Sequence, residues 1–250
     1  MKQEHILITG AASGIGAATA RLLAARGEAV SLTLVDQADA GLKALTAGLG
    51  AADWKSVTMD VSDPEAWARL DLEGAAFTGA VLCAGVSDAG LVSDMSFEAW
   101  RRVLSVNLDG AFLSLQAALQ NCVDGASIVA VASASGHKAA PMTAAYGASK
   151  AGLSQLVKVA ALEGAARCVR VNAVAPGGVK TPMFSDQDFF EDFKAEHGGE
   201  DGAWAALGET VPLGRFAEAD EVAGMIGFLL GPQSATMTGA VLNCDGGYGL

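Results

Sequence analysis

Tyr146 and Lys150 stand four residues apart in the helix-like stretch Tyr-Gly-Ala-Ser-Lys. At helical pitch they share a face. A free tyrosine loses its proton near ~10, too high for a base at neutral pH. A neighbouring ammonium favours the phenolate and lowers that value, so the pair is suited to moving a proton. Ser133 lies thirteen residues before Tyr146, just after the apolar run Ser127–Ala132. A hydroxyl there can hold a substrate oxygen beside the phenol. Neither feature is specific alone, because Tyr-xxx-Lys pairs arise on surfaces by accident and serines are common in turns.

A second chemistry lies at the start of the chain. The apolar run Ile6–Thr9 leads into Gly10-Ala11-Ala12-Ser13-Gly14-Ile15-Gly16, and a helix-like segment follows. Glycines at these positions allow a tight turn, close backbone approach and close helix–strand packing. A helix N-terminus offers free N–H groups and partial positive charge to a pyrophosphate. Gly10, Ser13, Gly14, Ile15 and Gly16 are therefore the positions expected to touch a dinucleotide; the bland alternative is a glycine turn used only for packing. Asp36 ends the second strand-like run, 20 residues after Gly16. Its carboxylate can accept from both adenosine ribose hydroxyls and would repel a 2′-phosphate. With no Lys or Arg in Ala11–Ser13, this favours NAD over NADP, unless Asp36 merely caps the next helix. Asp60-Val61 follows the third strand-like run. The carboxylate can hold an adenine amino group and the valine can cover the ring, or Asp60 is a cap before Pro64.

These residues need elements to position them. Strand-like runs cover Ile6–Thr9, Val30–Val35, Lys55–Met59, Ala80–Ala84, Ser127–Ala132, Val169–Ala173 and Ala240–Asn243. Helix-like segments begin near Gly14, Asp39, Pro64, Phe97, Ala144 and Ala219. Such alternation argues for right-handed βαβ units, and near-continuous apolar strands suit a parallel sheet covered on both faces. The alternation breaks once, at Phe184–Leu213, where two short amphipathic pieces are expected around Asp186–His197 and Gly202–Leu207. A long insertion of this kind is usually functional, often a lid. No linker or repeat divides residues 1–250, so one domain is expected.

Bulk properties narrow the class. A formal net charge of -12 disfavours nucleic acid and anionic membrane surfaces as partners. No signal-like stretch and no apolar run long enough to span a bilayer is present, which makes the cytoplasm the expected location. Cys83, Cys122, Cys168 and Cys244 form no CxxC and read as buried, reduced thiols. His5, His137 and His197 do not pair at helical spacing, so no metal is expected.

Taken together, the motifs are specific. The chain resembles the short-chain dehydrogenase/reductase family along essentially its whole length. The resemblance rests on TGAASGIG at Thr9–Gly16, Asp36, Asp60-Val61, Ala84-Gly85, Asn107, Ser133, YGASK at Tyr146–Lys150, PGGVKT at Pro176–Thr181 and GAVLNCDGG at Gly239–Gly247. It implies a doubly wound, seven-stranded parallel sheet of order 3-2-1-4-5-6-7. It makes Tyr146 the general acid/base and Ser133 the holder of the substrate oxygen. Lys150 would hold the nicotinamide ribose, and Asn107 would place a water linking Lys150 to solvent. Cys83, Ala84 and Gly85 would border the cofactor, Pro176 and Gly177 would shape the floor under the nicotinamide, and Val179 and Thr181 would fix its carboxamide. Ser135, His137, Met142, Gly178, Met183 and Phe184 are the positions expected to meet substrate. For His137 a solvated loop histidine, and for Met142, Met183 and Phe184 plain core packing, are the alternatives.

The long helix-like stretches Phe97–Asn121 and Ala144–Ala165 leave apolar faces, and the resemblance implies that a homotetramer covers them. Two departures stand out. Leu82-Cys83-Ala84-Gly85 has a cysteine where the family usually carries an asparagine, and Pro64–Gly79 is short, predicting a truncated helix. The sequence thus points to NAD-dependent interconversion of a secondary alcohol and a ketone. Its rivals are a 3-oxoacyl-carrier-protein reductase, disfavoured by Asp36 and the net charge, and a non-catalytic NAD-binding regulator, disfavoured by the intact Asn107, Ser133, Tyr146 and Lys150. Replacing Asp36 by Ala is expected to shrink the preference for NAD roughly ten- to a hundredfold, as befits loss of a charge-assisted hydrogen bond. The ratio of kcat/KM for NAD to that for NADP checks it; equal use of both by the unaltered protein would count against the reading.

Overall fold

The computed structural model describes residues 4–72, 74 and 76–250. Two parts of the sequence reading fall partly outside them: the first three residues, and positions 73 and 75 within the short Pro64–Gly79 segment. Strands β1 (Glu4–Thr9), β2 (Val30–Asp36), β3 (Asp53–Thr58), β4 (Phe77–Leu82), β5 (Cys122–Val131) and β6 (Arg170–Pro176) alternate with helices. A two-residue pair follows, β7 (Val179–Lys180) with β8 (Ala217–Glu218), and β9 (Val241–Cys244) comes last. The main sheet is seven-stranded and parallel, in order β3-β2-β1-β4-β5-β6-β9. This is the expected doubly wound order, with β9 as its seventh strand.

The helices are α1 (Gly14–Ala24), α2 (Asp39–Thr46), α3 (Pro64–Arg69), α4 (Phe97–Leu104), α5 (Gly110–Asn121), α6 (Ala144–Gly164), α7 (Pro182–Ser185), α8 (Asp188–Glu196), α9 (Glu200–Gly208) and α10 (Ala219–Leu230). Side chains alternate across each strand, so the sheet feeds two cores. Leu7, Phe77, Leu82, Ile128 and Val171 pack with Leu115 of α5 and Leu153 and Val157 of α6. Ile6, Ile8, Leu32, Leu34, Val81 and Val129 pack with Leu23 of α1, Leu42 of α2 and Ile226 and Leu229 of α10. The edge strand β3 is mostly exposed and carries Asp53 and Lys55, charges that discourage a further strand from pairing there.

The architecture departs from the sequence reading at several points. Phe97–Asn121 is not one uniform α-helix. Between α4 and α5 a wide π-helical turn spans Ser105–Asp109, with the Gly110 N–H bonded to the Ser105 carbonyl five residues back. That extra residue per turn swings Asn107 wholly into the interior. The insertion does fold as two helices, α8 and α9, while β7 and β8 tie its two ends together through paired backbones. Helix α3 is short, as expected, and its cap is Asp63, whose carboxylate accepts from the Glu65 N–H. Cys168 is not buried: it sits exposed in a left-handed conformation after a 3-10 turn that precedes β6. The four cysteines are free thiols, and no described helix is long and apolar enough to cross a membrane.

The β1–α1 turn is where packing tolerates least. A Cβ on Gly16 would lie 2.0 Å from the Gly10 carbonyl oxygen, inside main chain that cannot yield. Gly224, exposed in α10, has nothing within 4 Å of such a Cβ. Gly16→Ala is therefore expected to lower stability by about 3 kcal/mol or more, or to prevent folding. Gly224→Ala should raise stability by about 0.5–1 kcal/mol through helix propensity. Urea unfolding of the two variants distinguishes these opposite signs.

Candidate active site

The C-terminal ends of β1, β4, β5 and β6 converge on one crevice, the place where open α/β sheets bind ligands. Its phosphate side is the β1–α1 turn. Gly10 has φ of 66° and backs onto the β4 end so tightly that a Cβ would lie 2.6 Å from the Ala84 nitrogen. Helix α1 starts after Ser13, whose side chain makes no capping hydrogen bond, so the first-turn N–H groups of Gly14, Ile15 and Gly16 face the crevice uncapped. Asp36 lies beside this turn. One carboxylate oxygen accepts from the Ala12 N–H at 2.9 Å and the other from the Ala38 N–H at 2.9 Å. Asp36 is thus locked to the loop rather than capping α2. A bare backbone cradle, a helix N-terminus and an oriented carboxylate fit a dinucleotide.

Asp60 is exposed, and one of its oxygens accepts from the Ser62 N–H and hydroxyl, each at 2.8 Å. Asp63, not Asp60, caps α3, which removes the capping alternative for Asp60. Val61 is buried against Gly110, and its carbonyl accepts from the Trp67 indole at 2.9 Å. Little of its side chain is left to cover a ring.

Tyr146 and Lys150 occupy one face of α6, with the Lys150 ammonium 5.7 Å from the phenol ring centroid. The Ser133 side chain is the neighbour that favours the ionised phenol. Ser133 also accepts from the Ser135 N–H at 3.2 Å and reaches the Pro176 carbonyl at 3.5 Å. Lys150 is 3 % exposed and donates to the Val131 carbonyl at 2.8 Å. Asn107 is fully buried: its amide oxygen accepts from the Val86 N–H at 2.8 Å, and its NH2 donates to the Val86 carbonyl and the Ser149 hydroxyl. The Ser149 hydroxyl donates to the Tyr146 carbonyl at 2.7 Å, so Asn107 braces α6 under both reactive residues.

The electrostatics correct one step of the sequence reading. Burial pushes the Tyr146 phenol above its ordinary value, and the opposing influence comes from the Ser133 side chain. Burial also pulls Lys150 down to about 8, partly offset by Cys83. Cys83 is itself pushed up to about 12 by burial, against the pull of Lys150. The thiol and the ammonium thus each favour the other's charged form, and burial outweighs that in both.

The remaining predicted residues divide. Pro176 pairs with Cys244 at the end of β6, and a Cβ on Gly177 would lie 3.0 Å from the Asp245 backbone. Thr181 reaches back so that its methyl would stand 3.2 Å from a Cβ on Gly14, joining the β7 end of the crevice to the glycine turn. Val179 is buried in the β7–β8 pair. Met183 leans toward Gly85 and Lys150 over the mouth of the crevice. Gly178 faces the Phe216 ring, with no room for a Cβ (2.5 Å), rather than open pocket. Phe184 lies inside an aromatic cluster with Phe189, Phe190, Trp204 and Phe216, at centroid separations of 5.3–6.4 Å. Ser135, His137 and Met142 line a groove of about 660 Å³ with Leu91, Val92, Pro141 and Ala144. Met142 has φ of 66°, an unusual value for a residue with a side chain.

Several participants escaped the sequence reading. Ser149 lies within YGASK on the Tyr146 face, so spacing could have found it. Val86, Phe216, Lys138 and Tyr248 carry no local signal. Among the described residues no cluster of His, Cys, Asp or Glu could hold a metal ion.

Comparison with known proteins gives a consistent picture. The sequence profile described as Enoyl-(Acyl carrier protein) reductase matches residues 10–249. The chain is 38 % identical to Short-chain dehydrogenase/reductase ABA4 of Pyricularia oryzae, covering 96 % of this chain and 90 % of that protein. It is 37 % identical to cis-4-hydroxycyclohexanecarboxylate dehydrogenase of Sinomonas cyclohexanicum, covering 97 % and 95 %. The crystal structure of levodione reductase superposes with a TM-score of 0.87 at 28 % identity, covering 100 % of this chain and 98 % of that one.

Lys150 yields a stability test. Its folded value of about 8 lies below the ordinary 10.5, so the folded state binds its proton less readily than the unfolded state. The penalty is full below pH 8, shrinks between 8 and 10.5, and is gone above. Lys150→Met is expected to be inactive yet more stable by about 1–3 kcal/mol at pH 7, the lower end reflecting the orphaned Val131 carbonyl. That gain should fade as pH rises toward 10. Denaturant midpoints across this range check it; a variant destabilised at every pH would contradict the assignment of a buried charge.

Proposed function

The chain belongs to the short-chain dehydrogenase/reductase family, and from that premise we propose that it is an NAD(H)-dependent oxidoreductase interconverting a secondary alcohol and a ketone, with Tyr146 as general acid/base. The observation that carries this reading is the Ser133–Tyr146–Lys150 cluster at the mouth of a crevice whose other end is a glycine cradle beside Asp36. Relatives support oxidoreduction of alcohols and ketones in general. Asp36, and the absence of a basic residue in Ala11–Ser13, support NAD over NADP.

Pro176, Gly177, Val179 and Thr181 would hold the nicotinamide, which would supply the hydride acceptor for oxidation or the donor for reduction. The protein's own part is the proton. In oxidation the Tyr146 oxygen takes the hydroxyl proton of the substrate; in reduction it returns one. Ser133, the neighbour that favours the ionised phenol, holds the substrate oxygen beside it. Lys150 lends positive potential and donors for the nicotinamide ribose. Asn107 keeps α6 seated through Ser149 and places the water that connects Lys150 to solvent.

The apolar groove beside Ser135 and Met142, and the hydroxycyclohexanecarboxylates named in two relatives, support a cyclic secondary alcohol or ketone as substrate class. Segment 184–213 is its lid. The matched profile's description favours a second reading, reduction of an acyl chain held as a thioester on an acyl carrier protein; an acidic protein is poorly suited to an acidic carrier. The family reading carries a homotetramer in the cytoplasm, with exposed Phe112, Val159 and Leu162 on α5 and α6 covered by neighbouring copies.

The test is a panel of cis- and trans-4-hydroxycyclohexanecarboxylate, a cyclic dione and a 3-oxoacyl thioester, each with NAD(H) and NADP(H), followed by nicotinamide absorbance. Turnover of ring alcohols with NAD is expected; thioester turnover alone would favour the second reading, and tight NAD binding without turnover a regulator. Tyr146→Phe should lower kcat about 10²–10⁴-fold and leave NAD affinity within a few-fold. Because the phenol is raised, oxidation should climb with pH on the alkaline side while reduction falls. Substantial turnover by the phenylalanine variant would remove Tyr146 from the mechanism.

A further inference from the structure

The turn after β9, Asp245–Gly249, touches three separate parts of the crevice. On one side it meets the turn that carries Ser133. The Lys138 ammonium donates to the Tyr248 carbonyl and lies over the Tyr248 ring, 4.3 Å from its centroid. A Cβ on Gly249 would stand 3.1 Å from His137 Nε2. On a second side it abuts the floor, since a Cβ on Gly177 would stand 3.0 Å from the Asp245 backbone. On a third it holds the end of the insertion: the Leu213 N–H donates to the Gly246 carbonyl at 3.0 Å, and Val211 and Pro212 pack on Gly246 and Gly247. The turn is closed on itself by Asp245, whose carboxylate accepts from the Gly247 N–H at 3.0 Å and the Gly249 N–H at 2.9 Å.

The Ser133 turn is equally self-contained. The Gly136, His137 and Lys138 N–H groups donate back to the Ser133 and Ala134 carbonyls at 2.8–3.0 Å. Gly136 presses on the Lys150 main chain, where a Cβ would lie 2.9 Å from its carbonyl carbon. A displacement at Lys138 is therefore transmitted to Ser133 as a unit, because no free hinge lies between them.

We propose that Asp245–Gly249 is a clasp that positions the Ser133 turn against the base of the 184–213 segment, with Lys138 on Tyr248 as its anchor. Lys138 and Tyr248 are positioning residues that act through Ser133; neither exchanges a proton with substrate. The proposal rests on the roles given above to Ser133 and Tyr146. The ring face and the main-chain carbonyl do the holding, so the Tyr248 hydroxyl is dispensable and the aromatic ring is not.

The test uses the full chain, with the best alcohol of the panel above and NAD, and amide hydrogen exchange of the ligand-free protein. Lys138→Met and Tyr248→Leu are each expected to lower kcat roughly tenfold, leave KM for NAD unchanged, and speed exchange at Gly136–Lys138. Tyr248→Phe and Lys138→Arg should retain both properties, since ring and cation survive. The double variant should lose no more than either single one. Unchanged kcat and exchange in both disruptive variants would overturn the clasp. So would additive losses, or a Tyr248→Phe variant as impaired as Tyr248→Leu. If the wild type turns over no member of the panel, the exchange rates alone decide. Failure of the underlying reading is separable: it would show as an active Tyr146→Phe variant, whatever the exchange at residues 136–138.

Discussion

The site is organised around one buried cation. Lys150 is almost fully enclosed, and its hydrogen-bond partner is the neutral Val131 carbonyl rather than a carboxylate. Burying a charge without a counterion is costly. The cost appears as the downward pull on Lys150 itself. Such a group persists only where surrounding structure fixes it. Here α6 is pinned from below by the Asn107–Ser149 contact and from the side by Gly136 on the Lys150 main chain. Cys83, in the place where the family usually carries an amide, adds a neutral, hard-to-ionise thiol to the same enclosure.

From that constraint the division of labour follows. Burial raises the Tyr146 phenol, and the Ser133 side chain opposes it. In the proposed reaction Ser133 would serve two partners, the phenol and the substrate oxygen. Its position matters more than its chemistry, and the segments that set it are distant in sequence: the β6 end through Pro176, and the turn after β9 through Lys138. The aromatic cluster of the insertion is joined to the same region by Phe216, whose ring lies on Gly178 beside the floor. The insertion is thus a packed unit, with its own small core around Phe190, Trp204 and Phe216.

Much of this was legible in the chain. Every expected helix start, from Gly14 to Ala219, coincides with an observed one, because local signals such as Pro64 after Asp63 act within one turn. Strand positions agree because near-continuous apolar runs suit parallel strands covered on both faces, and the order agrees with what the family resemblance implies. The errors are equally physical. Cys168 looked buried by its apolar neighbours, yet a left-handed turn points it outward. The cap of α3 is Asp63, three residues past Asp60, which removes the alternative reading of Asp60 as a cap. The helical stretch Phe97–Asn121 concealed a π turn, because a one-residue slip in hydrogen bonding leaves the apolar pattern nearly intact.

What the sequence determined by itself was every feature whose cause lies within a few residues. The glycine cradle, the four-residue spacing of Tyr146 and Lys150, and the aspartate ending β2 are of this kind. Their geometry is set by helix pitch, strand pleat and the lack of a Cβ. Only the tertiary structure decided which groups are buried and what they meet there: Val131 under Lys150, Val86 and Ser149 around Asn107, Phe216 on Gly178, Tyr248 under Lys138. Those contacts join residues separated by up to about a hundred positions, and burial is a property of the whole packed chain. A proton affinity that depends on burial is accordingly decided by the fold, even where the residue that carries it is plain in the sequence.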